Sequence, residues 1–420
     1  MMTQAFYTGL SGLISGQSAI DITANNLANI NTVGYKGNST EFASLFEVSL
    51  ANVDRGSSIN STVGIGARVQ ATAMDLSQGN IMLTDRSTDL AIMGNGWFGI
   101  KSDGDTFYTR AGNFTFDEND DLVTPDGLHV LGTVGNNISG TTITKRLDSV
   151  DLGALNDQQK LRFPKSLSYP PEPTTTARFY ANVGTDPEVR TMSAGVVDPQ
   201  GNKNELKLVF TKAAVQTPPG TQWDVVATTQ SLDGNTVYDT QSGRVNFDAT
   251  GALTSSTLST INNNGANVTI DLGSDFEGVV SISNSDITAS SLADGTIGGD
   301  LMGYSISPKG EVIATFTNGM QSSVGRIAVY HFRNDQGLER ITGTRFLPSS
   351  NSGDPFFYTD ANGKNIIGTN IDNFKLENSN VRMEAALTEL IIFQRTYGAN
   401  SKSITVADEM IKKALTMKGG

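Results

Sequence analysis

The chain has 420 residues, more than a single compact core holds, so two or more domains are expected. Asp plus Glu outnumber Lys plus Arg by 43 to 30, and the formal net charge of -13 argues against nucleic acid and anionic membrane surfaces as partners. Cys is absent, which excludes disulfide scaffolds, thiolate nucleophiles and Cys-based zinc sites, and two histidines, His129 and His331, leave little material for a catalytic relay or a metal cluster.

No run of about 18 apolar residues exists, so no membrane insertion is expected. Met1 to Tyr35 lacks Lys and Arg and is broken by Gly and Ser, unlike a cleaved secretory signal. The same segment carries an apolar stripe: Phe6, Leu10, Leu13, Gln17, Ile20, Ala24 and Leu27 alternate spacings of four and three. That is the seam of a helix packing on other helices. Beside it runs a face of small residues, Gly9, Gly12, Gly16, Ala19 and Thr23, which permits close helix approach. Interior glycines cost about 0.8–1 kcal/mol each relative to Ala, so the segment is expected to become helical only on assembly.

The middle reads as β, in short runs rich in Val, Ile, Thr and aromatics between Gly, Asn and Asp turns. Asp89–Met93, Thr106–Arg110, Asn113–Asp117, Glu205–Phe210, Trp223–Thr229 and Arg326–Phe332 are expected strands. Gly94-Asn95-Gly96-Trp97-Phe98-Gly99 has dinucleotide-fingerprint spacing, but another strand follows where a helix is needed, so a β-hairpin corner is expected. Asp117 to Asp121 opens like a calcium loop, yet Leu122 and Leu128 stand where Gly and Glu are required, and a solvated turn with no metal is expected. Tyr169-Pro170-Pro171-Glu172-Pro173 reads as a linker, and a second soft boundary lies near Ala293 to Asp300. No nucleophile–base–acid set is visible, so neither an enzyme nor a cofactor is expected.

At the other end, Met383, Ala386, Leu390, Phe393, Tyr397, Asn400, Ile404, Ala407 and Ile411 repeat the heptad alternation, with Ser379 as the expected cap and Gly419-Gly420 as the stop. Both seams are expected to bury between neighbouring copies, with polar Gln17 and Asn400 setting the axial stagger. The fold class expected is mainly β with long terminal helices in a coiled-coil-like domain, a β-rich inner domain and an inserted barrel- or sandwich-like outer domain. The divisions are 1–30 with 379–420, helical; 31–75 with 365–378, an extended connector; 76–168 with 300–364, inner; and 169–299, outer.

Ala24-Asn25-Asn26-Leu27-Ala28-Asn29-Ile30-Asn31-Thr32-Val33-Gly34-Tyr35-Lys36 resembles the N-terminal signature of the flagellar rod and hook family, with Asn25, Asn26, Asn29, Asn31, Thr32, Gly34, Tyr35 and Lys36 as its motif residues. In it the Asn residues end the helix, Gly34 allows a positive φ, and Tyr35-Lys36 begins an extended arm. Asp89 to Phe98, with Trp97 in place of a Phe, Tyr108 to Phe114, Leu122 to Gly127, and Ser379 to Asn400 are similar to further blocks of that family. Asp294-Gly295-Thr296-Ile297 departs from it, lacking an aromatic after the Gly.

The resemblance implies a structural subunit of the bendable, hollow flagellar hook, whose coaxial helices line a channel while β domains stack outward; the alternative it leaves is a distal-rod subunit. It further implies self-association into a helical tube, contacts with distal rod, hook-cap and hook–filament junction proteins, and export by the flagellar type III route to the exterior.

Overall fold

The computed structural model describes residues 2–45, 47–49, 62–64, 66–102, 104–283 and 289–418. Two helices occupy the ends, α1 (Met2–Ala28) and α2 (Met383–Lys418), and the segments between are mainly β. At 1.5 Å per residue, 27 residues make α1 about 40 Å long and 36 residues make α2 about 54 Å. Neither is long and apolar enough to cross a membrane.

Two hydrophobic cores form, with no residue in common. The inner one gathers Trp97, Phe98, Tyr108, Phe114, Phe163, Phe316, Tyr330 and Phe346 from both flanks of the chain, around a 15-stranded sheet. Its middle is antiparallel: the strand Trp97–Lys101 pairs with Thr106–Thr109 and His129–Val134, and the latter with Gln321–Ile327. Ring pairs such as Tyr108 with Phe332, 4.8 Å between centroids, add edge-to-face contacts worth about 0.5–1.5 kcal/mol each.

The outer core lies between a 6-stranded and a 5-stranded sheet. Here alternation decides the packing. In Lys203–Lys212, Leu206, Leu208 and Phe210 point inward while Glu205, Lys207 and Val209 are only partly covered. Trp223, Val225 and Ala227 of Thr221–Ser231 meet them in the same core.

Two strands of chain cross side by side between the cores. Glu172 and Thr296 exchange backbone hydrogen bonds of 2.9 Å in each direction, and the Tyr169 hydroxyl donates to Glu172 Oε1 at 2.6 Å. Asp294 accepts the Thr175 and Thr176 amides at 2.8 and 3.0 Å. Gly295 passes so close to Thr174 that a Cβ there would lie 2.1 Å from its Oγ1. Glycine at 295 thus suits this tight crossing.

In the segments expected as a connector, Asn370–Asn373 pairs with Leu90–Met93, Lys375–Glu377 with Ile81–Leu83, and Asn38–Ser44 antiparallel with Ala67–Met74. Two expectations are corrected. Gly94 and Gly96 do turn a corner at positive φ, 122° and 133°, but the strands they join lie in different sheets rather than in one hairpin. Ser379 does not cap α2; its Oγ accepts the Val381 amide at 3.3 Å, and the helix begins only at Met383. The expected stop at Gly419-Gly420 lies outside the described residues.

Candidate assembly surface and its anchor

The small face of α1 packs against α2 of the same chain. A Cβ on Gly9 would meet Ile404 Cγ1 at 2.9 Å, one on Gly12 would meet Asn400 Nδ2 at 2.5 Å, and one on Gly16 would lie 3.9 Å from Tyr397. Ser15, Ala19 and Thr23 continue this buried face. The glycines remove side-chain bulk where two helices must touch, and α2 supplies the burial that offsets their weak helix propensity. The chain itself thus supplies α1 with a helix to pack against.

The two stripes divide accordingly. On α2, Ala386 and Ala407 are buried, and Leu390, Phe393, Asn400, Ile404 and Ile411 are half-buried, so this stripe turns largely toward its own α1. Within the stripe Met383 and Tyr397 stay exposed. On α1, Phe6, Leu10, Gln17 and Ala24 are exposed and Leu13, Ile20 and Leu27 only half-covered. Gln17 donates to Asp21 Oδ1 at 2.8 Å, one turn on, whereas Asn400 faces Gly12; the two polar positions belong to different surfaces. Further apolar side chains stand free on α2: Leu387, Ile391, Ile392, Val406, Met410 and Leu415. The helix pair thus closes its inner face and leaves two outer apolar faces uncovered.

The pair is fixed to the β domain by a buried polar anchor that starts where α1 ends. Asn29 folds its side chain back to Asn25 O at 2.9 Å, Thr32 Oγ1 donates to Asn29 Oδ1 at 3.1 Å, and Asn31 is exposed. Gly34 then turns at φ 69°, where a Cβ would lie 2.3 Å from the Ala111 amide, so both conformation and space demand glycine. Asn26 holds Asn38 in a reciprocal pair, Nδ2 to the carbonyl at 2.7 Å and Oδ1 from the amide at 3.0 Å. The Tyr35 hydroxyl accepts from Asn25 Nδ2 at 3.3 Å and donates to Asn26 Oδ1 at 3.3 Å, while the Arg340 guanidinium lies 4.8 Å over the ring.

Lys36, next along, is buried with Glu377. Its Nζ donates to Glu377 Oε1 at 2.7 Å and to Ser77 O at 2.6 Å. Glu377 also accepts the Gly79 amide at 2.9 Å and Arg110 Nη1 at 3.3 Å, and its own carbonyl accepts the Gly34 amide at 2.7 Å. Burial pushes the Lys36 ammonium below its ordinary pKa, opposed by the Glu377 charge. Asn380 closes the ring, donating to Asp75 O at 2.8 Å and accepting the Gly37 amide at 2.8 Å. Tyr35 and Lys36, the expected start of the extended arm, are wholly enclosed. Sequence reasoning missed Arg110, Glu377, Asn380 and Arg340, since nothing local links residues so far apart.

Two further candidates lie in the inner β unit. His331 is buried, its Nε2 2.6 Å from Ile367 O and its ring 4.6 Å from that of Tyr358. Asp117 to Asp121 does form a turn, joining Thr115–Phe116 to Leu122–Val123, but Asp121 is fully buried rather than solvated.

Paired terminal helices with uncovered apolar faces, anchored to the inner of two β cores, define a structural subunit with surface for other protein to cover. Comparison with known proteins agrees. Family models described as flagella basal body rod protein, flagellar hook protein FlgE/F/G D1 domain, flagellar basal body protein FlaE D2 domain and flagellar basal body rod FlgEFG protein C-terminal match residues 6–36, 91–154, 173–312 and 375–417. The flagellar hook protein FlgE of Brucella suis is 29% identical over 431 residues, covering 98% of each chain. That of Escherichia coli is 28% identical over 436 residues, and that of Borreliella burgdorferi 26% over 454; each alignment covers 99% of this chain and all of the relative. The crystal structure of Helicobacter pylori flagellar hook protein FlgE2 superposes with a TM-score of 0.53 at 17% identity, covering 71% of this chain and all of that one, and shares its fold. The chain belongs to the flagellar hook and rod protein family and is a structural subunit of the flagellar hook, not an enzyme.

Proposed function

We propose that copies of this chain join through the outer faces of the α1–α2 pair, so that the helices line a hollow hook and the β domains stack outside them. The single observation carrying this reading is the division of apolar faces: one α1 face is filled by α2, while Phe6, Leu10, Ile14, Leu387, Ile391 and Ile392 remain exposed. Covering such surface stabilises by about 25 cal/mol per Å², repeated at every subunit. In this arrangement the subunit divides into a helical unit, 2–28 with 383–418, an inner β unit entered through the Lys36 anchor, and an outer β unit beyond the Glu172–Thr296 crossing.

Bending requires contacts between outer units to exchange, which suits the Thr-, Asn- and Asp-rich strands exposed there. Within the same reading, the tube's ends meet distal-rod, cap and junction proteins, and the chain leaves the cell by the flagellar type III route. Hook rather than rod is favoured because the inserted unit falls in the span matched by the D2 family model, and the relatives matched over the full length are hook proteins.

The test is electron microscopy of purified chain after induced polymerisation. Tubes are expected from the parent chain, and none from Ile14→Glu/Ile391→Glu, whose residues are 63% and 51% exposed and so are only partly covered within the monomer. Normal tubes from that variant, with unchanged melting, would refute the assigned surface.

A further inference from the structure

Away from the helices, three side chains of the inner β unit meet at the end of one sheet. Asp117 and Asp121 bracket the turn between Thr115–Phe116 and Leu122–Val123, and His129 lies on the neighbouring strand, whose partner is Val123. One ligand atom from each of the three lies within 4.8 Å of the others. Asp117 is held by its own turn, Oδ1 accepting the amides of Asn119 and Asp121 at 2.8 Å each.

Two orphaned atoms make this more than a cluster of acids. Asp121 is fully buried, and its Oδ1 has no hydrogen-bond partner; His129 Nδ1 is likewise buried and unpartnered, 3.7 Å from Asp121 Oδ2. A buried polar atom left unpaired is costly, so these two leave a place for a ligand that accepts electron pairs from both residues. One cation is already nearby: Lys160 Nζ donates to Asp121 Oδ2 at 2.6 Å. Its side chain is 53% exposed, so the ammonium can swing into water.

We propose that Asp117, Asp121 and His129 bind one divalent cation of the zinc class, with Lys160 as the resident that the metal displaces. The donor set, one imidazole nitrogen and two carboxylates, matches zinc and its first-row neighbours rather than calcium, which takes oxygen alone. Metal bonds of about 2.0–2.2 Å place tetrahedral ligands about 3.3–3.6 Å apart, so the three side chains, now within 4.8 Å of one another, close in by up to about an ångström and a half on binding. Solvent vacated by Lys160 supplies the fourth position. Bound metal staples the turn to the strand His129–Val134, independently of how copies of the chain assemble.

The probe is zinc chloride, titrated calorimetrically into the dilute full chain in a non-chelating buffer. One zinc per chain is expected, with a rise in melting temperature. His129→Gln, at a partly exposed position, is expected to weaken binding at least tenfold and abolish the melting shift, as is Asp117→Asn. Lys160→Gln removes the competing ammonium and is expected to tighten binding severalfold. Absence of a zinc isotherm at millimolar metal overturns the proposal, as does an isotherm that His129→Gln leaves unchanged. Calcium binding of equal strength that ignores His129 points to carboxylates alone and overturns it equally.

Discussion

Lys36 and Glu377 lie 341 residues apart in the chain yet form a 2.7 Å ion pair in which each side chain is 1% exposed. Arg110 approaches the second Glu377 oxygen at 3.3 Å, so one carboxylate serves two buried cations. This predicts an order of damage. Glu377→Gln leaves Lys36 and Arg110 facing each other without a counter-charge, and breaking such a pair by removing one partner costs about 3–5 kcal/mol. Lys36→Met leaves Glu377 with Arg110 and the Gly79 amide, and loses charge-assisted hydrogen bonds worth about 1.5–3 kcal/mol. Urea unfolding of both variants measures the order, and equal losses contradict the shared-carboxylate account.

The helix pair makes a prediction from two glycines with opposite surroundings. Gly12 is pressed against the Asn400 side chain, whereas Gly398, on α2, has nothing within 4 Å of where its Cβ would stand. Gly12→Leu is expected to separate α1 from α2 and lower the helical signal in circular dichroism. Gly398→Ala is expected to stabilise the chain by about 0.8–1 kcal/mol through helix propensity alone. If Gly12→Leu keeps full helicity and stability, the close approach of the helices is wrong.

Both terminal stripes and the alternating strands were legible in the sequence because each depends on a local period, 3.5 residues or two. The Leu206, Leu208, Phe210 alternation and the proline crossing at 169–173 are of that kind. Which stripe faces which was not legible. Periodicity says that Met383 to Ile411 has an apolar side, but only packing space, supplied by Gly9 and Gly12, decides that this side meets α1 of the same chain. The anchor was still less visible, since Lys36 reads as one more solvated charge until Glu377 is brought beside it. Asp121 shows the same limit: a turn of acids reads as solvated, and only the neighbouring strand reveals that one of them is enclosed.

Separate cores predict separable folding. The inner and outer clusters share no residue and are joined at the Glu172–Thr296 crossing. Replacing residues 175–294 by a short Gly-Ser link is therefore expected to leave the inner unit folded, with a cooperative melt of its own. Tubes formed by the shortened chain are expected to persist with altered curvature. Loss of the cooperative melt would mean that the outer unit holds the inner one together, contrary to the division of cores.

His331 predicts the response to acid. Burial pushes its pKa below the ordinary histidine value of 6.5, more than the Ile367 carbonyl hydrogen bond and the Asp335 charge raise it. The folded chain therefore binds this proton more weakly than the unfolded chain does. The stability it contributes is fully present above about pH 6.5 and is lost progressively as pH falls through the lowered folded value. Melting curves between pH 7.5 and 5 should show that loss, and His331→Gln, which can still donate to the Ile367 carbonyl but does not titrate, should flatten it. Carboxylates titrate lower, so the difference between parent and variant isolates the histidine. An identical pH slope in the two proteins would show that His331 takes up its proton without cost, and hence that its ring is not confined between Phe356, Tyr358 and the Ile367 carbonyl as described.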